Sequence, residues 1–107
     1  MTKAGKPRKY RNKIVYIYGI RFDSLKEGRR WIDLNRLQDA FHISGLKRQV
    51  MFRFKHNGID LGYYKADFTY IKDGELVVED VKGYKTPIYK LKKKLVKALT
   101  KIEILET

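Results

Sequence analysis

The spacing of apolar residues changes repeatedly along the chain and predicts alternating strands and helices. The apolar run at residues 14–22 predicts a short β-hairpin, or two strand fragments bent at Gly19. A capping box of the Ser-x-x-Glu form follows at residues 24–27, where helices commonly begin. Apolar residues then recur at helical spacing: Trp31, Leu34, Leu37 and Phe41. This pattern predicts a first helix that begins at Ser24 and ends near residues 39–41.

The middle of the chain has the alternating pattern of strands. A second strand is predicted at about residues 49–55, and His56-Asn57-Gly58 then reverses the chain. Asp73-Gly74 lies between two β-rich runs, residues 63–71 and 75–82, and predicts a type I′ hairpin turn. One face of this hairpin is expected to carry the apolar side chains: Tyr64, Ala66, Phe68, Tyr70, Val77 and Val81.

The last part of the chain predicts a helix and a strand. Thr86 and Pro87 are typical N-cap and first-turn residues, and they predict a helix to about Leu99. The alternating stretch 102–106 predicts a strand, which a crossover connection would place parallel to the strand that carries Lys82. Together these elements predict an α/β fold in which helices flank a mixed central sheet.

Composition limits the size and setting of the protein. The 107 residues are enough for one domain, and 43% hydrophobic with 13% aromatic residues is typical of a globular chain. We therefore predict a basic flexible arm at residues 1–13 and a single domain at residues 14–107. The sequence has no cysteine, which excludes disulfides and thiolate zinc sites. It shows no signal peptide or membrane span, so a soluble, cytoplasmic protein is expected.

The formal charge of +13, from 25 basic and 12 acidic residues, indicates a polyanionic partner. Nucleic acid is the leading candidate; an anionic membrane surface is the alternative, but no basic helix has a broad aromatic face. Because no acid lies between Val81 and Ile102, the lysines there should have few partners within the chain. Phosphate contacts are therefore predicted in the arm and along the last helix: Lys3, Lys6, Arg8, Lys9, Arg11, Lys13, Lys85, Lys90, Lys93, Lys94 and Lys97.

The predicted hairpin also brings acidic residues together. Counting back from the turn places Asp67 opposite Asp80, and alternation puts Lys82 on the same face. Like charges about 5 Å apart destabilise a sheet, and a divalent metal would explain the pair. Mg²⁺ takes carboxylate and carbonyl oxygens, so the carbonyl of Val81 is a further candidate ligand. Phosphodiester cleavage needs such a metal together with a cation such as Lys82, and Glu27 is a candidate third carboxylate.

Simpler interpretations exist for each of these residues. Asp67 and Asp80 could form a solvated face, and Lys82 could be a surface lysine paired with either acid. Glu27 could serve only as a helix cap. The doublet Glu79-Asp80 leaves open which acid faces the site, because alternation favours Asp80 and a β-bulge would exchange the two.

The pattern of Asp67 followed by Asp80-Val81-Lys82 resembles the D…(D/E)xK core of the PD-(D/E)XK nuclease superfamily. Glu27 matches the glutamate that many members carry on their first helix, and Ala66 replaces the proline of the nominal motif. The stretches 64–70 and 78–83 look like small phage-encoded nucleases of this superfamily and are similar to archaeal-type Holliday junction resolvases. The resemblance covers about residues 22–106.

This resemblance implies a restriction-endonuclease-like fold and an endonuclease that depends on Mg²⁺, with Mn²⁺ as a substitute. It also implies a homodimer with one active site per subunit, located in the host cytoplasm if the protein is phage-encoded. A Holliday junction resolvase acting on four-way DNA junctions is the first hypothesis. The alternatives are a less specialised nuclease on flap, single-stranded or duplex DNA, and a noncatalytic basic DNA-binding protein.

Overall fold

A computed structural model describes residues 13–81 and 85–107. Most of the predicted basic arm and Lys82 lie outside the described residues; the arm positions concerned are Lys3, Lys6, Arg8, Lys9 and Arg11. The two described ranges contain the following elements: β1 (Val15–Ile17), β2 (Ile20–Phe22), α1 (Leu25–Asp39), β3 (Ser44–His56), β4 (Ile59–Lys72), β5 (Glu75–Asp80), α2 (Pro87–Thr100) and β6 (Leu105–Glu106).

Four of the strands form a mixed sheet in the order β3-β4-β5-β6. Neighbours are antiparallel from β3 to β5, whereas β6 pairs parallel to β5 after the α2 crossover. β1 and β2 form a separate antiparallel hairpin that turns at Tyr18-Gly19. The predicted first hairpin, the parallel last strand and the α/β architecture with a mixed sheet flanked by helices are therefore confirmed.

The turn at Asp73-Gly74 sets the register of the central hairpin. Both residues have positive φ, 52° and 79°, as a type I′ turn requires. Lys72 pairs with Glu75, and the pairs continue to Phe68 with Glu79. The next position in this register sets Asp67 against Asp80, as the sequence predicted.

Both helices begin at the predicted caps. The Oγ of Ser24 accepts a hydrogen bond from the Glu27 N–H at 3.1 Å, and the Oγ1 of Thr86 accepts one from the Tyr89 N–H at 3.0 Å. Each bond satisfies a backbone donor that the first turn of a helix leaves unpaired. Within the ranges 13–81 and 85–107, neither helix is long and apolar enough to cross a membrane.

Several strand bounds differ from those predicted. β3 begins at Ser44 rather than near Gln49. The sequence pattern missed this earlier start because a register irregularity between Ser44 and Lys47 interrupts the alternation of apolar and polar residues. β4 likewise extends back to Ile59 beside a second irregularity in β3. The last strand is only two residues long, because residues 102 and 104 pack in the core while residues 105 and 106 pair with β5.

The core is divided between two faces of the sheet. One cluster includes Val78 and residues of α2, and the other includes Val77 and residues of α1. Since adjacent residues of a strand point to opposite faces, α1 and α2 cover opposite sides of the sheet. The sheet is therefore buried on both faces near β5.

The prediction of a single apolar face on the central hairpin is wrong. Tyr64 and Ala66 pack in the α2 cluster, whereas Phe68 and Tyr70 pack in the α1 cluster. Residues two apart share a face in a regular strand, so the alternation of β4 is reset at Asp67. The paired strand β3 has a matching break, because Gln49 adopts a left-handed φ of 57°.

Candidate active site

Asp67 and Asp80 come together where the alternation of the sheet is reset. The Val81 N–H donates to Asp67 Oδ2 at 2.8 Å, and the Tyr64 hydroxyl donates to Asp80 Oδ2 at 2.5 Å. The two carboxyl groups are close enough for the charge of Asp80 to act on Asp67. Asp80 is only 1% exposed. The structure therefore brings together the two acids that the hairpin arithmetic paired.

The environment of Asp67 favours its protonated form. Burial raises the pKa of Asp67 to about 8, and the hydrogen bond and the charge of Asp80 act in the same direction. The Val81 N–H opposes them, because it stabilises the ionised carboxylate. Ionising both carboxylates at this separation costs free energy unless a cation lies between them. A metal ion bound between the carboxylates would replace the proton on Asp67.

Glu79 faces the opposite side of the sheet from this pair. Its carboxylate is completely buried and accepts both the Arg30 Nε, at 2.6 Å, and the Arg30 Nη2, at 3.0 Å. The Tyr70 hydroxyl donates to Glu79 at 2.6 Å, and the Thr107 hydroxyl donates at 3.1 Å. Asp80 is thus the acid of the Glu79-Asp80 doublet that meets Asp67, as alternation predicted.

Glu27 lies in the first turn of α1, near the acid pair. Its carboxylate accepts a hydrogen bond from Gln49 Nε2 at 3.2 Å. Burial, followed by the charge of Asp23, raises the pKa of Glu27; the charge of Asp80 adds to this, while Arg48 lowers it. Glu27 therefore lies within electrostatic range of the acid pair.

The site offers fewer carboxylate ligands for Mg²⁺ than the sequence predicted. Within residues 13–81 and 85–107, no group of three His, Cys, Asp or Glu side chains is close enough to hold a metal ion. The structure therefore does not bring Glu27 into a ligand cluster with Asp67 and Asp80. Mg²⁺ commonly uses one or two protein carboxylates and keeps several waters, so the pair alone suffices as an anchor. The carbonyl of Val81 stays a candidate third oxygen.

Comparison with known proteins shows the family of the chain. A family model described as "Protein of unknown function (DUF1064)" matches residues 7–103. The chain belongs to this family. No curated protein and no solved structure matches it. The candidate site is therefore assigned from the geometry of this DUF1064 domain itself.

A set of tyrosines behind the acid pair was not found from the sequence of this DUF1064 domain. The Tyr64 and Tyr89 rings lie 6.4 Å apart, and the Tyr89 hydroxyl donates to Glu106 at 2.7 Å. Burial, above all, raises the pKa of both tyrosines, so both remain hydrogen-bond donors. Asp80 and Glu106 are also paired on the parallel strands β5 and β6. This arrangement depends on contacts between elements that are far apart in the sequence, so the sequence pattern does not reveal it.

The lysines of α2 line an open groove of about 400 Å³ beside the carboxyl-terminal segment. The prediction that these lysines have few partners within the chain is wrong. Glu106 pairs with Lys85 at 2.9 Å and with Lys93 at 3.3 Å, and Glu103 pairs with Lys97 at 3.2 Å. Both acids follow α2 in the sequence, and the chain folds back so that they contact these lysines. Lys90 and Lys94 line the same groove, whereas Lys13 is an exposed residue before β1.

We expect the metal-free protein to lose thermal stability as pH rises. Asp67 has a pKa of about 8 in the folded protein against an ordinary value of 3.8, so the folded state binds this proton more tightly. The resulting stability is complete below about pH 4 and is lost as pH rises through about 8. Thermal melts in a chelator between pH 5 and pH 9 measure this loss.

Asp67→Asn provides the control, because it keeps a polar side chain and removes the titration. Its melting temperature should vary less steeply with pH than that of the unmodified protein. Glu27, whose pKa is also raised, contributes a residual slope of the same sign. Identical slopes in the two proteins would contradict the raised pKa of Asp67.

Proposed function

We propose that this protein is a metal-dependent DNA endonuclease with a restriction-endonuclease-like fold, and that its substrate is a four-way junction. The observation that carries the proposal is the meeting of half-buried Asp67 with buried Asp80, two like charges that need a proton or a cation to coexist. A solvated hairpin face does not describe Asp80, which is 1% exposed. The pair lies in a protein of formal charge +13, which suits a polyanionic substrate.

Asp67 and Asp80 would hold Mg²⁺, with the Val81 carbonyl as a further oxygen donor. When bound, the ion activates water and neutralises negative charge that develops on the phosphate. Asp67, whose pKa is raised to about 8, must release its proton before both carboxylates can serve as ligands. The Tyr64 hydroxyl keeps Asp80 oriented during this exchange. Lys82 is proposed to stabilise the charged transition state or to help remove a proton from water.

The groove beside α2 supports the binding part of the proposal. Phosphates would compete with Glu106 and Glu103 for the lysines that these acids now hold, and they would meet Lys90 and Lys94 in the same groove. Such contacts are electrostatic, so affinity should depend on salt more than on base sequence. The basic residues of the amino-terminal arm are proposed to add further phosphate contacts.

The homodimer is inferred from the reaction. Resolving a junction requires two coordinated cuts, and the described part of the chain carries one Asp67–Asp80 pair. Two copies of the chain would supply two such pairs. Sedimentation in the presence of junction DNA should therefore give the mass of a dimer, and a monomer at micromolar concentration would count against junction resolution.

A cleavage panel tests the proposal directly. A labelled four-way junction, a flap and a linear duplex are incubated with the protein, with and without Mg²⁺. We expect the junction to be cut into nicked duplexes only when Mg²⁺ is present. Equal cutting of the linear duplex would indicate a less specialised nuclease. Binding without cutting in both Mg²⁺ and Mn²⁺ would indicate a noncatalytic DNA-binding protein and overturn the proposed activity.

A further inference from the structure

Gln49 is distinguished by its backbone. It adopts φ of 57° inside β3, a left-handed conformation that residues with a side chain seldom occupy. Among the described non-glycine residues, the others with positive φ lie at turns or helix ends: Tyr18, Phe41, Asn57, Asp73 and Lys101. Strained residues within regular elements persist only where the surrounding structure holds them, and they are concentrated at functional sites.

The position of Gln49 links it to the acid pair. Flanking pairs join Arg48 to Phe68 and Val50 to Ala66, so the register sets Gln49 against Asp67. Of these flanking residues, Ala66 packs on the α2 side of the sheet and Phe68 packs on the α1 side. The alternation of side chains is therefore reset at Gln49 in β3 and at Asp67 in β4. The left-handed backbone of Gln49 and the carboxyl residue Asp67 therefore lie opposite each other in the β3–β4 pair.

The side chain of Gln49 reaches the third acid of the region. Its Nε2 donates to Glu27 Oε2 at 3.2 Å. Glu27 is 7% exposed and is close enough to Asp67 and Asp80 for their charges to influence one another. A single amide thus connects the first turn of α1 to the strand that faces Asp67.

We propose that Gln49 is a positioning residue, whose amide holds Glu27 beside the Asp67–Asp80 pair. The Glu27 carboxylate, held there, adds its negative charge to the field that attracts a divalent cation. Without the amide, the flexible Glu27 side chain can turn away from the pair and this attraction weakens. The inference rests on the proposed nuclease function, and it adds to the site a residue that carries no acid of its own.

Gln49→Gly separates positioning from a purely structural role. Glycine adopts positive φ without steric cost, so the substitution removes the amide and relieves the backbone at once. We expect an unchanged or higher melting temperature, unchanged junction affinity, and cleavage reduced about tenfold. A purely structural role would lower stability and cleavage together. Wild-type cleavage by Gln49→Gly would overturn the inference.

Asn57→Gly is the matched control. Asn57 has φ of 51° at the turn that joins β3 to β4, far along the hairpin from Gln49. The substitution makes the same backbone change without touching the acids. We expect cleavage at the wild-type rate. If Asn57→Gly loses cleavage as Gln49→Gly does, the loss reflects a general change in the hairpin and the inference fails.

A double-mutant cycle tests whether Gln49 acts through Glu27. On a Glu27→Gln background there is no carboxylate to position, so Gln49→Gly should cause no further loss of cleavage. Losses that multiply in the double variant would show that Gln49 acts independently of Glu27, and would overturn the inference.

A binding measurement without DNA separates this inference from the proposed function. A ligand that binds the folded protein raises its melting temperature, so the Mg²⁺ concentration for half of that rise reports cation affinity. We expect this concentration to increase several-fold in both Gln49→Gly and Glu27→Gln. If the wild-type protein cuts no DNA, the proposed function fails, and this titration still decides the role of Gln49. No Mg²⁺ effect in the wild type, or an unchanged midpoint in Gln49→Gly, overturns the inference.

Discussion

We expect Asp80→Asn to abolish cleavage of a four-way junction and to leave junction binding intact. The substitution removes the buried one of the two carboxylates proposed to hold Mg²⁺, and charge stabilisation by the metal is worth several kcal/mol. At 1.36 kcal/mol for each factor of ten, the cleavage rate should fall about a thousandfold or more. The lysines that line the groove beside α2 are unchanged. Single-turnover cleavage and junction affinity, measured on the same preparation, check the expected loss of cleavage and the expected retention of binding.

Asp73→Asn is the matched control for this prediction. It makes the same chemical change at the exposed turn of the same hairpin, where asparagine tolerates positive φ. We expect cleavage at the wild-type rate from this variant. Folding of Asp80→Asn is checked by its melting temperature, since the new amide oxygen can still accept the Tyr64 hydroxyl. An Asp80→Asn protein that cuts normally would show that the site is assigned to the wrong residues.

The correct part of the sequence interpretation depended on local interactions. Asp73-Gly74 fixes the hairpin register because a two-residue turn determines which residues pair beyond it. Ser24 and Thr86 fix the helix starts because each cap bonds an amide only three residues away. From these short-range rules, the sequence alone predicted the meeting of Asp67 with Asp80.

The features that the sequence did not reveal depend on distant contacts. The partner of Glu79 was not predicted, because Arg30 lies on another element and binds this carboxylate on the opposite face of the sheet. The reset of alternation at Gln49 and Asp67 carries no local signal, since a Gln residue in a strand predicts no left-handed backbone. The partners of the α2 lysines likewise come from a segment that follows the helix.

Those distant contacts predict that loss of Arg30 strongly destabilises the fold. Arg30→Met leaves Glu79, which is completely buried, without its cationic partner. Breaking a buried ion pair from one side costs about 3–5 kcal/mol. The Arg30 side chain is 28% exposed, so we expect a loss of about 3 kcal/mol in the free energy of unfolding. Urea unfolding at neutral pH measures this loss.

Two further variants separate the buried charge from the loss of a side chain. Arg36→Met removes an arginine of the same helix whose contact with Asp33 is long, at 3.9 Å, and exposed, so it should change stability by less than about 0.5 kcal/mol. Arg30→Met combined with Glu79→Leu removes both charges and should recover most of the stability, because the unpaired buried carboxylate is gone. If the double variant is no more stable than Arg30→Met, the ion pair with Glu79 is not what Arg30 contributes to the fold.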